Sequence, residues 1–396
     1  MRKLSALALL LVVFIFSCSK TPVRCTAPED NPAHHYLTGM ELLEAGKTDA
    51  AAEKFSRSSW CDEKYSPAHA GAAIAMAFKA RDVKDDKYRS QEVKKVYGEL
   101  KAAKKNADTP EDEFAWRLAS MRVDSILKGN GWLKDVEKSY RGALKLKVDP
   151  VKLPYYQARE SADYFMGIAY MEAREFQQAR ERFAQVLNSR QEGRWHGPSD
   201  VAWKRTDKAV RALSGITLGD IGKGIALRDT VTRADMAALF VDEIKVDKLF
   251  AGRIPEKAKE PPFVPADVLS SPFREEVSSM VKWGVRGLEP VYDESTRAYL
   301  FRPEEPVKRK ELALALEDIV IKLTGNAKIA SAFLGHRNSP FPDVETSSPW
   351  YNAIMSVTTR NLMETGLSGE FRPDEPVDGA EAIMAIRALR HQLNIY

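Results

Sequence analysis

Residues 341–389, FPDVETSSPWYNAIMSVTTRNLMETGLSGEFRPDEPVDGAEAIMAIRAL, decide how the chain is read, because much of the stretch recurs upstream. Phe371-Arg372-Pro373-Asp374-Glu375-Pro376-Val377 repeats Phe301-Arg302-Pro303-Glu304-Glu305-Pro306-Val307 with one acidic exchange. Each heptapeptide is followed by a glutamate, Glu311 or Glu381, and then by an apolar helical run. A more diverged copy, Val231-Thr232-Arg233-Ala234-Asp235, opens the run MAALFVDEI. The start of the unit recurs too: Phe341-Pro342-Asp343-Val344, Ser348-Pro349-Trp350 and Ile354 have counterparts in Pro265-Ala266-Asp267-Val268, Ser271-Pro272-Phe273 and Val277. Such self-similarity means one supersecondary unit stacked on copies of itself.

Within a unit, an aromatic residue starts a helix whose apolar positions Trp350, Ile354 and Val357 share a face. The Phe-Arg-Pro-x-x-Pro segment cannot be helical, since each proline restricts itself and the residue before it. A second helix follows, with Ile383, Ile386 and Leu389, or Leu312, Leu316 and Ile319, on one side. One hairpin cannot bury that side alone, so three are expected to bundle.

These residues resemble the S-layer homology domain, whose repeats run F-x-D-V, W, a Gly-containing loop, F-x-P and a T-R-A-E-like helix start. The resemblance covers about Ser199 to Leu389 and implies a pseudo-threefold helical bundle that docks onto a cell-wall polymer, polysaccharide or peptidoglycan. It also implies that the arginine of the motif, Arg233 and Arg309 here, helps bind an acidic wall polysaccharide; the third unit has Gly379 at that position. The residues themselves leave two readings open. An arginine at the first position of a helix opposes the dipole, which suits an anion held between guanidinium and free N–H groups. Alternatively, each arginine bridges to an acid of the next repeat. Phe273 and Trp350 open amphipathic helices, which makes them core anchors before groove aromatics. Thr232/Asp235 and Asp378/Glu381 have capping-box spacing.

The N-terminus points to export. Arg2 and Lys3 precede an apolar run, Leu4 to Phe16, too short to span a bilayer comfortably and shaped like a secretory signal. Ile15-Phe16-Ser17-Cys18 resembles a lipoprotein cleavage box, which implies a mature chain anchored in the membrane through acylated, palmitate-bearing Cys18. Ser19 after it resembles outer-membrane sorting, facing the periplasm, in a host with two membranes. Cys25 and Cys61 then remain as an even pair in an oxidising space and are read as a disulfide, with two free thiols as the alternative. No metal site is read around them, since His34 and His35 lack ligand spacing.

Residues 1–17 are therefore read as signal peptide and 18–32 as tether. Over 33–190 the pattern is helical: Gly39, Leu42, Ala51 and Phe55 have the spacing of a tetratricopeptide unit, and Gly167, Tyr170, Ala179 and Phe183 repeat it. That resemblance implies a helical-hairpin solenoid whose concave face holds a segment of an unknown protein partner, with a ligand-free spacer as the alternative. The aperiodic link 188–199 is read as a domain boundary, before a domain at 199–396 with repeats at about 199–245, 263–323 and 341–391. The fold class is all-α.

With 396 residues, 44% of them hydrophobic, and a net charge of +4 dispersed among opposed charges, the chain has room for two or three domains and no nucleic-acid footprint. It carries no nucleophile-elbow, P-loop, zinc-protease or paired-cysteine metal motif, so no enzyme activity and no cofactor is expected. The expected function is a cell-envelope lipoprotein that binds wall polymer and scaffolds a partner. The alternative is an accessory subunit of an envelope secretion or polysaccharide-assembly complex, whose C-terminal bundle contacts protein.

Overall fold

A computed structural model describes Cys25 and residues 27–189, 192–254 and 263–395. The signal peptide, Cys18 and much of the tether lie outside the described residues. The described residues form sixteen α-helices and one two-stranded sheet. They divide into two compact units at residues 169 and 170.

In the first unit the helices come in antiparallel pairs: α1 (Pro32–Glu44) with α2 (Thr48–Cys61), α3 (Ser66–Arg81) with α4 (Asp86–Lys105), and α5 (Pro110–Leu127) with α6 (Trp132–Ala143). Side-chain caps start several of them. Asn31, Asp85 and Thr109 accept from the N–H groups of His34, Tyr88 and Asp112, and proline occupies the first turn of α1, α3 and α5, where no amide partner is lost. Small residues set the helix spacing. Phe55 is fully buried, and a Cβ on Gly39 or Gly71 would come within 2.6 or 2.2 Å of its ring, so one phenyl fills the space that two glycines leave. Cys25 is bonded to Cys61 at the end of α2, which ties the chain before α1 to the first hairpin.

The connection after α6 changes the expectation of an open concave face. Its residues Leu153, Pro154, Tyr155 and Tyr156 lie across the side built by Tyr36 of α1, Pro67 of α3 and Ala115 of α5. Leu153, Tyr155 and Tyr156 are 1–2% exposed, the Tyr155 hydroxyl donates to Glu44 at 2.8 Å, and the Tyr156 ring packs edge-on to Phe114. Apolar and aromatic residues beside a proline make this loop a strap over the unit's own helices.

Helix α7 (Glu160–Glu172) contains the division between units. In the second unit α8 (Phe176–Leu187) pairs with α9 (His196–Leu213), and Phe176 belongs to the same hydrophobic cluster as the C-terminal repeats. The second compact unit thus begins before the 188–199 link, because α8 buries its apolar side there. The chain continues through α10 (Asp220–Ile225), α11 (Arg233–Ala238, extended by a π-turn over Leu239–Ile244), α12 (Val246–Ala251), α13 (Arg274–Trp283), the hairpin β1 (Val291–Asp293) and β2 (Ala298–Leu300), α14 (Arg309–Thr324), α15 (Tyr351–Thr359) and α16 (Gly379–Gln392).

Three repeated segments of this unit meet in a ring of main-chain hydrogen bonds. The Val231 N–H donates to Val377 O (2.8 Å), Val377 to Val307 O (2.9 Å), and Val307 to Val231 O (2.9 Å). All three valines are fully buried. Two residues further on, the N–H groups of Arg233, Arg309 and Gly379 donate to Glu305, Glu375 and Arg228 carbonyls, each at 2.9 Å. First-turn amides that a helix leaves unpaired are thereby satisfied by the neighbouring repeat. Asp267 and Asp343 explain the start of the unit. The Asp267 carboxylate accepts from the N–H groups of Phe301 and Arg302, and Asp343 accepts from Phe371 and Arg372, holding both arginines at φ 58°.

Candidate functional site

Arg233 and Arg309 stand at the first position of α11 and α14 as the sequence indicates, but they are not exposed forks awaiting an anion. They are 6% and 3% exposed, and main-chain carbonyls take up most of their donors. Arg233 donates from Nε to Phe301 O (2.7 Å), from Nη1 to Gly287 O (3.0 Å) and from Nη2 to Glu289 O (2.9 Å). Arg309 donates from Nε to Phe371 O (2.6 Å) and from Nη2 to Glu364 O (2.7 Å). Each guanidinium also lies over the phenylalanine of the next repeat, 4.9 Å from Phe301 and 4.7 Å from Phe371, and is paired with that repeat's acid, Glu311 or Glu381. This is the bridging arrangement. Acceptors from the next repeat outweigh the unfavourable dipole at the helix start. Burial pushes both guanidinium groups down, Arg309 to about 10.

The first-turn acids Glu311 of α14 and Glu381 of α16 serve the same bridges, whereas Asp235 of α11 pairs with Arg228. Thr232 and Asp235 form the reciprocal box. At α16 only half of it is present: Asp378 accepts from the Glu381 N–H at 2.9 Å, while the Glu381 carboxylate is turned to Arg309. The third contact has no arginine because it has no room for one. A Cβ on Gly379 would lie 1.9 Å from Ile225 O, so the backbone itself occupies the place of the guanidinium. Arg387, in the middle of α16, links the third repeat to the first instead, donating from Nη1 to Arg211 O (3.0 Å) and Ser214 O (2.9 Å).

Beside Arg309, between the second and third repeats, lies a groove of about 290 Å³. Its walls are the loop 361–365, the Arg372 to Asp378 turn, the outer side of α16 and Lys208 of α9. Most of its cations face acids: Arg309 pairs with Glu381, Arg372 with Glu375 at 3.1 Å, and Lys208 with Asp378. Paired guanidinium and carboxylate edges present donors and acceptors side by side, which matches hydroxyl groups better than a free acid.

Phe273 and Trp350 do not line this groove. Both are half-buried against the hydrophobic core, and Trp350 carries the Lys310 ammonium 4.2 Å from its ring centre. Arg372 was legible as part of the Phe-Arg-Pro repeat, whereas Lys208 and Arg387 belong to no recurring motif and only the folded chain brings them to the groove.

Residues 340–383 match the S-layer homology domain family, a span that contains α15, the loop 361–365 and the Arg372 to Asp378 turn. No curated protein matches the chain. The family match points to binding of cell-wall polymer and to association with the cell envelope. No helix among the described residues is long and apolar enough to cross a membrane.

Proposed function

We propose that the protein is a non-catalytic envelope lipoprotein whose C-terminal unit holds a cell-wall polysaccharide in the groove beside Arg309. The observation that carries this reading is the coincidence of the groove with the family match, since residues 361–381 supply most of its wall. In this reading the second unit is a pseudo-threefold bundle of three S-layer homology repeats, clamped by Arg233 and Arg309 and closed through Gly379. Acylated Cys18 anchors the chain, and the first unit is a tetratricopeptide-like scaffold. A partner reaches the inner side of that scaffold by displacing the strap at 153–156. The lack of any catalytic motif in the sequence supports a binding role.

Co-sedimentation of the full chain with purified sacculi tests the reading, comparing intact sacculi with sacculi stripped of their attached polysaccharide. Sedimentation with the intact material and loss with the stripped material are expected. Failure to sediment with either would contradict it and favour a protein-contacting bundle.

A further inference from the structure

Beneath the strap of the first unit the packing leaves a cavity of about 260 Å³. Protein cores hold few voids larger than a water molecule, so apolar packing alone does not account for it. Tyr36 of α1, Tyr65 at the start of α3, and Tyr155 and Tyr156 of the strap line it. Within each pair the rings stand almost at right angles, Tyr36 to Tyr65 at 80° and Tyr155 to Tyr156 at 76°, so the aromatic walls run in more than one direction. Two of the rings belong to the strap, and the site therefore exists while the strap is closed.

Two carboxylates from the first turn of α5, Glu111 and Asp112, line the same cavity. Neither is in an ion pair among the described residues, although Lys152 stands at the lining too. The Thr109 hydroxyl donates to Asp112 at 2.7 Å, and Glu111 accepts from the Asp149 N–H at 2.7 Å. Neither contact brings a positive charge. Burial, with Asp108 and Glu111 nearby, pushes the Asp112 carboxyl up against the hydrogen bond from Thr109, a cost that a bound cation would relieve. Arg122 lies 5.9 Å from the ring centre of Tyr155 and 4.8 Å from that of Phe165, but it is not part of the lining and does not fill the space. Aromatic rings together with carboxylates are the chemistry that holds an organic ammonium ion, through the ring quadrupoles and a charge-assisted contact. A hard metal ion would ask for about six oxygen ligands, which rings do not supply.

We propose that this cavity binds an alkylammonium group, with the tyrosine rings around the cation and Asp112 and Glu111 as its counter-charges. The site belongs to the first unit and stands apart from the polysaccharide reading of the second.

Calorimetric titration of the full chain with N-acetyl-lysine methylamide and with tetramethylammonium tests the site, with N-acetyl-norleucine methylamide as the neutral counterpart of the first. One of the two cations should bind at about 1 mM or tighter, and which one tells a primary amine from a quaternary head. The neutral probe should bind at least about tenfold more weakly. Asp112→Asn keeps an acceptor for Thr109 and Glu111→Gln keeps one for Asp149, so both should melt like the parent while binding the cation about tenfold more weakly. Lys152→Ala removes a like charge and should bind at least as tightly as the parent. Tyr65→Leu should weaken binding, whereas Tyr65→Phe, which keeps the ring, should not. Binding of neither cation, equal binding of the neutral probe, unchanged binding by both carboxylate variants, weaker binding by Lys152→Ala, or Tyr65→Leu binding like Tyr65→Phe overturns the site.

Discussion

Arg309 is held by two carbonyls, a carboxylate and a phenyl ring while 3% exposed, so its removal leaves acceptors buried without a donor. Arg309→Ala should cost about 3–5 kcal/mol, the range for breaking a buried ion pair, and lower the melting temperature of the C-terminal unit. A variant melting like the parent would show that the clamp is not needed for stability. The sequence marked this residue correctly as out of place on a helix start, but both of its explanations were consistent with that anomaly. Deciding between them required the carbonyls of Phe371 and Glu364, and main-chain acceptors leave no trace in residue identity. Gly379 was legible as a departure from the pattern; the 1.9 Å approach that demands it was not. A second residue-scale expectation concerns Asp124 of α5, whose carboxyl is pushed up to about 6 by burial, against the opposing hydrogen bond from Tyr97. A raised carboxyl stabilises the fold fully below its unfolded value, and that stability is lost as pH rises through about 6. Asp124→Asn, which stays neutral, should therefore gain in melting temperature relative to the parent between about pH 4 and 7. A flat difference across that window would remove the buried-carboxyl account.

At the scale of elements, the periodic signals were the readable ones. The spacing of Gly39, Ala51 and Phe55 gave the first hairpin, and its packing follows from size alone, one phenyl between two glycines. Gly71→Ala should destabilise the first unit by about 1–3 kcal/mol, the cost of overpacking, because the ring it would strike is fully buried and cannot swing away. An unchanged melting temperature would contradict the packing described. The strap at Leu153 to Tyr156 was unreadable, since four apolar and aromatic residues after a charged stretch carry no period. Only the tertiary fold shows that they cover α1 and α5. The recurring Asp267 and Asp343 lay between these extremes. Their repetition was visible, while their work, holding the left-handed turn at Arg302 and Arg372 through two amides each, needed the structure.

For the molecule as a whole, the link from Cys25 to Cys61 closes a segment 36 residues long, worth about 4 kcal/mol in chain entropy. Reduction, or Cys61→Ser, should lower the melting temperature of the first unit and leave the second unchanged; two alkylatable thiols in the unreduced protein would contradict the bond. The all-helical class and the threefold recurrence were legible because repeats write themselves into a sequence several times. The ring of hydrogen bonds among Val231, Val307 and Val377 was not, since any buried residue could occupy those positions. The proposed place of the wall polymer is the groove beside Arg309. Thr365 is exposed on its rim and takes no part in the clamp, so Thr365→Trp should fill the groove without unfolding the unit. Equilibrium binding of the full-length variant to intact sacculi should fall at least about tenfold against the parent, at an unchanged melting temperature. Binding equal to the parent's would contradict the claim.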